Sequence, residues 1–318
     1  MLEELRQKIK EKGGFVNAHS HLDRANTARF FSKEEQYKFL EEKWKLVDRF
    51  KSKASAEDYQ RNVLRAIDSQ IEYGTTHACS FIDVDSLCQH AAIVGAKRAA
   101  AARPNFKISF ACQTLKGVLS PKESELLETV LDSFDVIGSL PRADGIENID
   151  RHLDKVMMWA KAKNKLLHVH VDQLNCPSEK ETELLARKTI EWGLEGKVTA
   201  VHSISLACHG IQYRNEVYKI CKDAGLSFVT CPGAWIDHPR REDLAPIHNA
   251  ITPVDELLAH DLVVAIGSDN IYDVYKPYAN GDMMFELRLL LEACKIYDED
   301  ALVKIATENG KKVLGIYN

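Results

Sequence analysis

The chain has 318 residues, 45% of them hydrophobic and 28% charged, with a formal net charge of -5. That length buries a large core. The mild acidity provides no basic stripe for nucleic acid and no polybasic anchor for a membrane surface. No apolar run approaches the roughly 18–20 residues of a membrane span. Eight cysteines are scattered without CxxC pairs, mostly in apolar runs, as expected of buried free thiols in a reducing compartment. The N-terminal MLEELRQKIKEK is charged and amphipathic, lacks the apolar centre of a secretory signal, and predicts a short helix over about 1–12. Together these features point to a cytoplasmic protein, and they leave a homo-oligomer open.

Along the chain, short apolar runs alternate with longer helical patterns. The runs predicted as strands are Phe15–His19, Thr75–Ile82, Lys107–Cys112, Phe134–Gly138, Leu166–Val171, Val198–His202, Leu226–Cys231 and Leu262–Gly267. Helical patterns between them include AEDYQRNVLRAIDSQIEYG, DSLCQHAAIVGAKRAAAA, SEKETELLARKTIEWG and TPVDELLAHD. In the last of these Thr252 is expected to be the N-cap, with Pro253 in the first turn. Near-continuous apolar strands separated by helices indicate a parallel sheet covered on both faces. Eight such units predict an α/β fold, a (β/α)8 TIM barrel. An open doubly wound sheet is the competing topology, but no GxGxxG follows the first strand. With no linker, low-complexity segment or repeat, 1–318 is expected to be one domain. Residues 32–53 are expected to form an inserted helix in the first βα loop, packing Tyr37, Leu40, Trp44, Leu46 and Val47 over the barrel mouth.

In a barrel, the C-terminal strand ends face the catalytic mouth. Here the first strand ends in His19-Ser20-His21, and alternation points both imidazoles the same way. The fifth ends in LLHVHVDQLN, with His168, His170 and Asp172 expected on one face. The sixth ends at His202 and the eighth at Asp269. Neutral imidazoles and a carboxylate suit one divalent ion, Zn²⁺ or Fe²⁺. His168 lies two residues deeper than His170 and is assigned a core or supporting role. His77, His90, His152, His248, His260 and Cys231 are assigned structural roles. The loop CPGAWIDHPRREDLAP offers Trp235, His238, Arg240 and Arg241 either as a lid with a cation for an anionic substrate or as a solvated surface loop.

These segments resemble the amidohydrolase superfamily of metal-dependent barrel hydrolases, and within it the cytosine deaminase group. The resemblance is carried by HSHLDR, GTTHACSFIDVD, Gln113, HVDQ, VTAVHS and GSDNIYDVYKP, and it runs from Phe15 onward. It implies His19, His21, His170 and Asp269 as ligands of one metal ion. It implies that His202 hydrogen-bonds the attacking hydroxide or the tetrahedral intermediate, and that Asp269 relays a proton. It places Gln113, Asn270 and Tyr275 against a small heterocyclic substrate, with Tyr275 stacking on a planar ring. Without the resemblance, Gln113 reads equally as a loop amide and Tyr275 as a lid residue.

Two departures from the group stand out. Its deaminases carry a glutamate three residues after the fifth-strand histidine, where this chain has Gln173. A carboxamide exchanges no proton near neutral pH, and general acid–base catalysis is worth roughly 10²–10⁴-fold. The expected reaction is therefore hydrolysis of a C–N bond in a small heterocycle or cyclic amide by metal hydroxide, with Gln173 at the catalytic position. A genuine pyrimidine or triazine deaminase and a catalytically impaired metal-binding homologue are the alternatives. Second, only 18 residues precede His19, so the β-sandwich that many relatives build from both termini has no first half here. The expectation is a bare barrel, or a chain trimmed to one.

Overall fold

The computed structural model describes residues 1–237, 239 and 249–316. Eight strands form one parallel sheet in chain order: β1 Phe15–Ser20, β2 Thr75–Asp83, β3 Lys107–Gln113, β4 Val136–Ser139, β5 Leu166–Val171, β6 Val198–His202, β7 Ser227–Thr230 and β8 Val263–Ile266. Each pairs in parallel with the next. The sheet returns on itself through a bridge from Ser20 to Asp269. There the Asp269 N–H donates to the His19 carbonyl and the His21 N–H to the Asp269 carbonyl, each at 3.0 Å. The (β/α)8 barrel is thus observed, and its closing seam runs through the residues of interest. Gly267 permits the seam, because a Cβ there would lie 2.7 Å from the His19 carbonyl oxygen and 2.8 Å from its Cβ.

The barrel interior is filled by small and medium side chains, among them Val16, Ala18, Cys79, Ala111, Val136, Val201, Val229 and Ala265, with Phe81 as the large member. Layers of this kind make the barrel a packed core rather than a pore. The opposite strand faces join the helices in a second, larger apolar layer. The helix Leu2–Glu11 buries Leu5 and Ile9, and its Lys8 pairs with Glu299.

Residues 32–53 hold two helices rather than one, Lys33–Gln36 and Leu40–Lys51. Two acidic side chains separate them. Ser32 and Glu35 cap each other reciprocally, and the Glu42 carboxylate accepts from the Phe39 N–H at 3.1 Å, starting a new helix. An apolar patch of Phe31, Val47, Leu115, Leu140, Val274 and Tyr275 seats the second helix on the barrel mouth, with Leu40, Trp44 and Leu46 packed against it. Tyr37, expected in that packing, is 71% exposed instead. At the end of the helix, buried Lys51 binds Asp83 at 2.7 Å and Asp85 at 2.6 Å, fastening the insertion to β2.

Thr252 is not the N-cap of the Val254–Ala259 helix; Pro253 holds that place. The Thr252 hydroxyl donates to the His202 carbonyl at 2.6 Å and accepts from Trp235 Nε1 at 2.9 Å. Trp235 is accordingly a core residue at 2% exposure and not part of a lid. His238, Arg240, Arg241 and His248 lie outside the described residues.

Candidate metal centre and substrate cavity

Strict alternation from Val16 and Ala18, which point into the barrel, would turn His19 outward. The register shows why it does not. Asn17 pairs with Ala78 and Ser20 with Ser80, so β1 carries one more residue than β2 across this stretch. A bulge of this kind re-aims the side chains that follow it. His19 and His21 consequently meet His170, His202 and Asp269 at the mouth. On β6 and after β8 the backbone makes a comparable correction, with left-handed φ of 78° at His202 and 60° at Asp269.

His19, His21 and Asp269 bring three donor atoms within 4.8 Å of one another, as do His19, His170 and His202, and all five residues are buried. Asp269 Oδ1 lies 3.5 Å from His19 Nε2 and 3.4 Å from His21 Nε2. Ligands bonded at 2.0–2.2 Å to a tetrahedral ion stand about 3.4 Å apart, so these spacings suit a shared cation. His170 donates through Nδ1 to the Ser139 carbonyl at 2.9 Å, which leaves Nε2 as a lone-pair donor. Both ring nitrogens of His19 are buried without a hydrogen-bond partner among the described residues. Nitrogens left so cost free energy unless something binds them.

Charge states agree with the donor chemistry. Burial pushes the His19 and His170 imidazoles down to about 3, and that of His21 well below its ordinary value. All three stay neutral, as a ligand must be. Burial acts to raise Asp269, but Lys276, with Nζ 3.4 Å away, together with His19, His202 and His21 outweighs it and holds the carboxyl well below the usual range. Lys276 is itself buried, donating to the Ser268 carbonyl at 3.1 Å.

His168 is absent from this cluster. Its Nε2 donates to the Val313 carbonyl at 2.9 Å, on the closed floor of the barrel. Asp172, expected on the face of His168 and His170, turns away. Its left-handed backbone (φ 52°) sends the carboxylate to the N-H groups of Glu181 and Thr182 at 2.7 and 3.1 Å, where it caps the Glu181–Trp192 helix.

The cavity above the cluster is lined by His21, His170, His202 and Asp269 on one side. Gln113, Gln173, Asn270 and Tyr275 line the rest, so all the expected substrate-facing residues share one space. Leu40 and Trp44 of the insertion cover it. Gln113 donates from Nε2 to Asp83 at 3.1 Å, and its Oε1 is buried without a partner, as are Gln173 Nε2 and Tyr275 Oη. Sequence reasoning missed two charged lining residues, Arg24 and Asp237. Arg24 closes the HSHLDR segment, and that position was its only signal.

The chain matches the Amidohydrolase family over residues 13–318. An uncharacterized protein of Haemophilus influenzae (strain ATCC 51907 / DSM 11121 / KW20 / Rd) is 41% identical over 267 residues, covering 80% of this chain and 94% of that protein. N-isopropylammelide isopropyl amidohydrolase of Pseudomonas sp. (strain ADP) is 27% identical over 315 residues, 95% of this chain and 74% of the relative. The crystal structure of 5-methylcytosine deaminase from Klebsiella pneumoniae with 5-fluorocytosine superposes with a TM-score of 0.88 at 23% identity, covering 95% of this chain and 75% of that one. At that identity the likeness is one of fold. The family match spans the barrel and every residue of the donor cluster, and on it the chain belongs to the amidohydrolase family, whose members are metal-dependent hydrolases of carbon–nitrogen bonds.

Proposed function

We propose that this protein hydrolyses a C–N bond in a small nitrogen heterocycle or cyclic amide whose departure needs no ring protonation. His19, His21, His170 and Asp269 would hold one divalent ion, Zn²⁺ or Fe²⁺. Such an ion supplies Lewis acidity and brings the pKa of water toward neutrality. The protein's own groups do the rest. Asp269, held ionised beside Lys276, accepts a proton from the attacking water. His202, on the cavity wall, donates to the oxyanion as the trigonal carbon becomes tetrahedral. Gln113 Oε1 accepts an N–H of the ring, and Tyr275 packs against its plane.

The observation that carries this reading is Gln173. It lines the cavity with its amide nitrogen buried and unpartnered, so it offers a hydrogen bond and no exchangeable acid. The relative named for N-isopropylammelide supports a leaving group on an oxo-triazine as one form of the substrate.

Turnover of the Zn²⁺-, Fe²⁺- and Mn²⁺-loaded protein against cytosine, N-alkylated oxo-triazines and cyclic imides tests it. Wild type is expected to cleave an N-substituted ring or open a cyclic imide, and to leave cytosine intact. Gln173→Glu is expected to gain cytosine deamination by about 10²-fold or more over wild type. Ammonia release from cytosine by wild type at an enzymatic rate would overturn the assignment.

A further inference from the structure

Arg24 is a cation without a hydrogen-bonded counter-ion in the substrate cavity. It is 6% exposed and lines the same space as His21, His170 and Asp269. Its Nε and Nη1 are buried and have no hydrogen-bond partner among the described residues. The neighbouring carboxylates are engaged elsewhere. Asp23 accepts the backbone N–H groups of Arg24 and Asp83, each at 2.9 Å. Asp83 stands 3.8 Å from Nη1 but 2.7 Å from Lys51. A guanidinium presents a rigid fork of donors matched to a carboxylate or another oxyanion, and leaving donors empty in a buried site is costly.

A second cation stands nearby. Lys43, on the inserted Leu40–Lys51 helix, is 3% exposed and makes no ion pair within 4 Å among the described residues. Its Nζ lies 5.9 Å from the centre of the Tyr275 ring, and the Arg24 guanidinium carbon lies 5.1 Å from the same centre. Leu40 and Trp44, one turn and one residue away on that helix, line the cavity. Two buried cations thus flank one cavity-wall aromatic; Asp23, Asp83 and Asp273 act on Arg24, and Asp237 and Asp273 on Lys43, from beyond hydrogen-bond distance, while the metal ligands stand at the other end of the pocket.

We infer that the substrate bears an anionic oxygen, a carboxylate substituent or a ring oxyanion, which Arg24 binds directly with Lys43 as the second positive charge. This rests on the cavity being the substrate site, as proposed above, and adds the charge of the substrate to it. Gln113 Oε1 and Gln173 Nε2 then take the neutral edges of the ring.

Calorimetric titration of the metal-loaded and the chelated protein with orotate, barbiturate and uracil tests the inference without turnover. Orotate carries a carboxylate, barbiturate a ring oxyanion, and uracil neither. At least one anion is expected to bind wild type about 10-fold or more tighter than uracil, and to keep that preference after chelation. Arg24→Gln is expected to remove about 10–100-fold of anion affinity and little of uracil's, in line with a hydrogen bond to a charged group. Arg24→Lys and Lys43→Gln should each lose part of the preference. Should Arg24→Gln not fold, the wild-type preference and the Lys43→Gln change decide. Equal binding of all three ligands by wild type would overturn the inference, as would a preference that vanishes on chelation yet survives Arg24→Gln. If neutral N-substituted rings turn over while no charge preference exists, only this inference falls. If nothing binds and nothing turns over, the functional reading falls with it.

Discussion

In the proposed reaction five side chains carry the chemistry, and their partners make them unequal. His170 is oriented by the Ser139 carbonyl, and Asp269 is held ionised by Lys276 together with the surrounding histidines. Asp269→Asn removes the only carboxylate of the donor cluster. It is expected to abolish stoichiometric metal binding and to lower turnover by about 10³-fold or more, by metal analysis and steady-state rates. His168→Gln is expected to behave oppositely. Its partner is the Val313 carbonyl on the barrel floor, so metal content should stay at the wild-type level while the melting temperature falls. Metal loss in His168→Gln would show that His168 reaches the ion. The histidines and Asp269 were legible in the sequence because they fall at strand ends. Arg24 was not, because nothing in HSHLDR says that the Asp23 and Asp83 carboxylates beside it would be engaged elsewhere.

At the scale of elements, all eight strands were found from apolar runs, β5 and β6 at their predicted bounds and the other six with ends displaced by one or two residues. The extra residue of β1 between Asn17 and Ser20 was invisible, because a bulge is a matter of register between two strands. The turn of Asp172 was equally hidden, since it depends on the N-terminus of the Glu181–Trp192 helix arriving beside it. That connection supports a prediction of its own. Glu179 and Glu181 share Arg142, at 2.9 and 2.8 Å, with Asp172 close by. Burial, more than the neighbouring carboxylates, raises Glu181 to about 8 and Glu179 to about 7. A carboxyl raised on folding stabilises fully below its unfolded value near 4.5, and loses that contribution as pH rises through the folded value. Wild type should therefore lose stability between about pH 4.5 and 8 from this site. Denaturant melts of Glu181→Gln should show a flatter profile there, and an unchanged slope would refute the assignment. At the seam, Gly267→Ala sets a methyl against the His19 backbone. It should cost about 1–3 kcal/mol and weaken metal retention, both readable in one thermal melt with and without chelator.

As a whole molecule, the chain places its closing seam and its donor cluster in the same few residues. The Ser20–Asp269 bridge joins the first and last strands, and His19, His21 and Asp269 flank it. A bound ion would tie the two ends of the sheet together. Chelation should then lower the melting temperature, since a ligand that binds only the folded state at 100 times its Kd adds about 2.7 kcal/mol. The alternation of strands and helices announced this architecture, and the insertion's apolar side chains announced Leu40 and Trp44 over the mouth, but not that the insertion would form two helices. No described helix is long and apolar enough to cross a membrane. The measurement that tests the central claim most directly is metal content, by mass spectrometry, of the purified wild type and of folded His19→Ala, His21→Ala and Asp269→Asn proteins. About one divalent ion per wild-type chain, lost in all three variants, is the predicted result. Metal-free wild type that still hydrolyses a heterocycle, or variants that keep a full equivalent of metal, would contradict it.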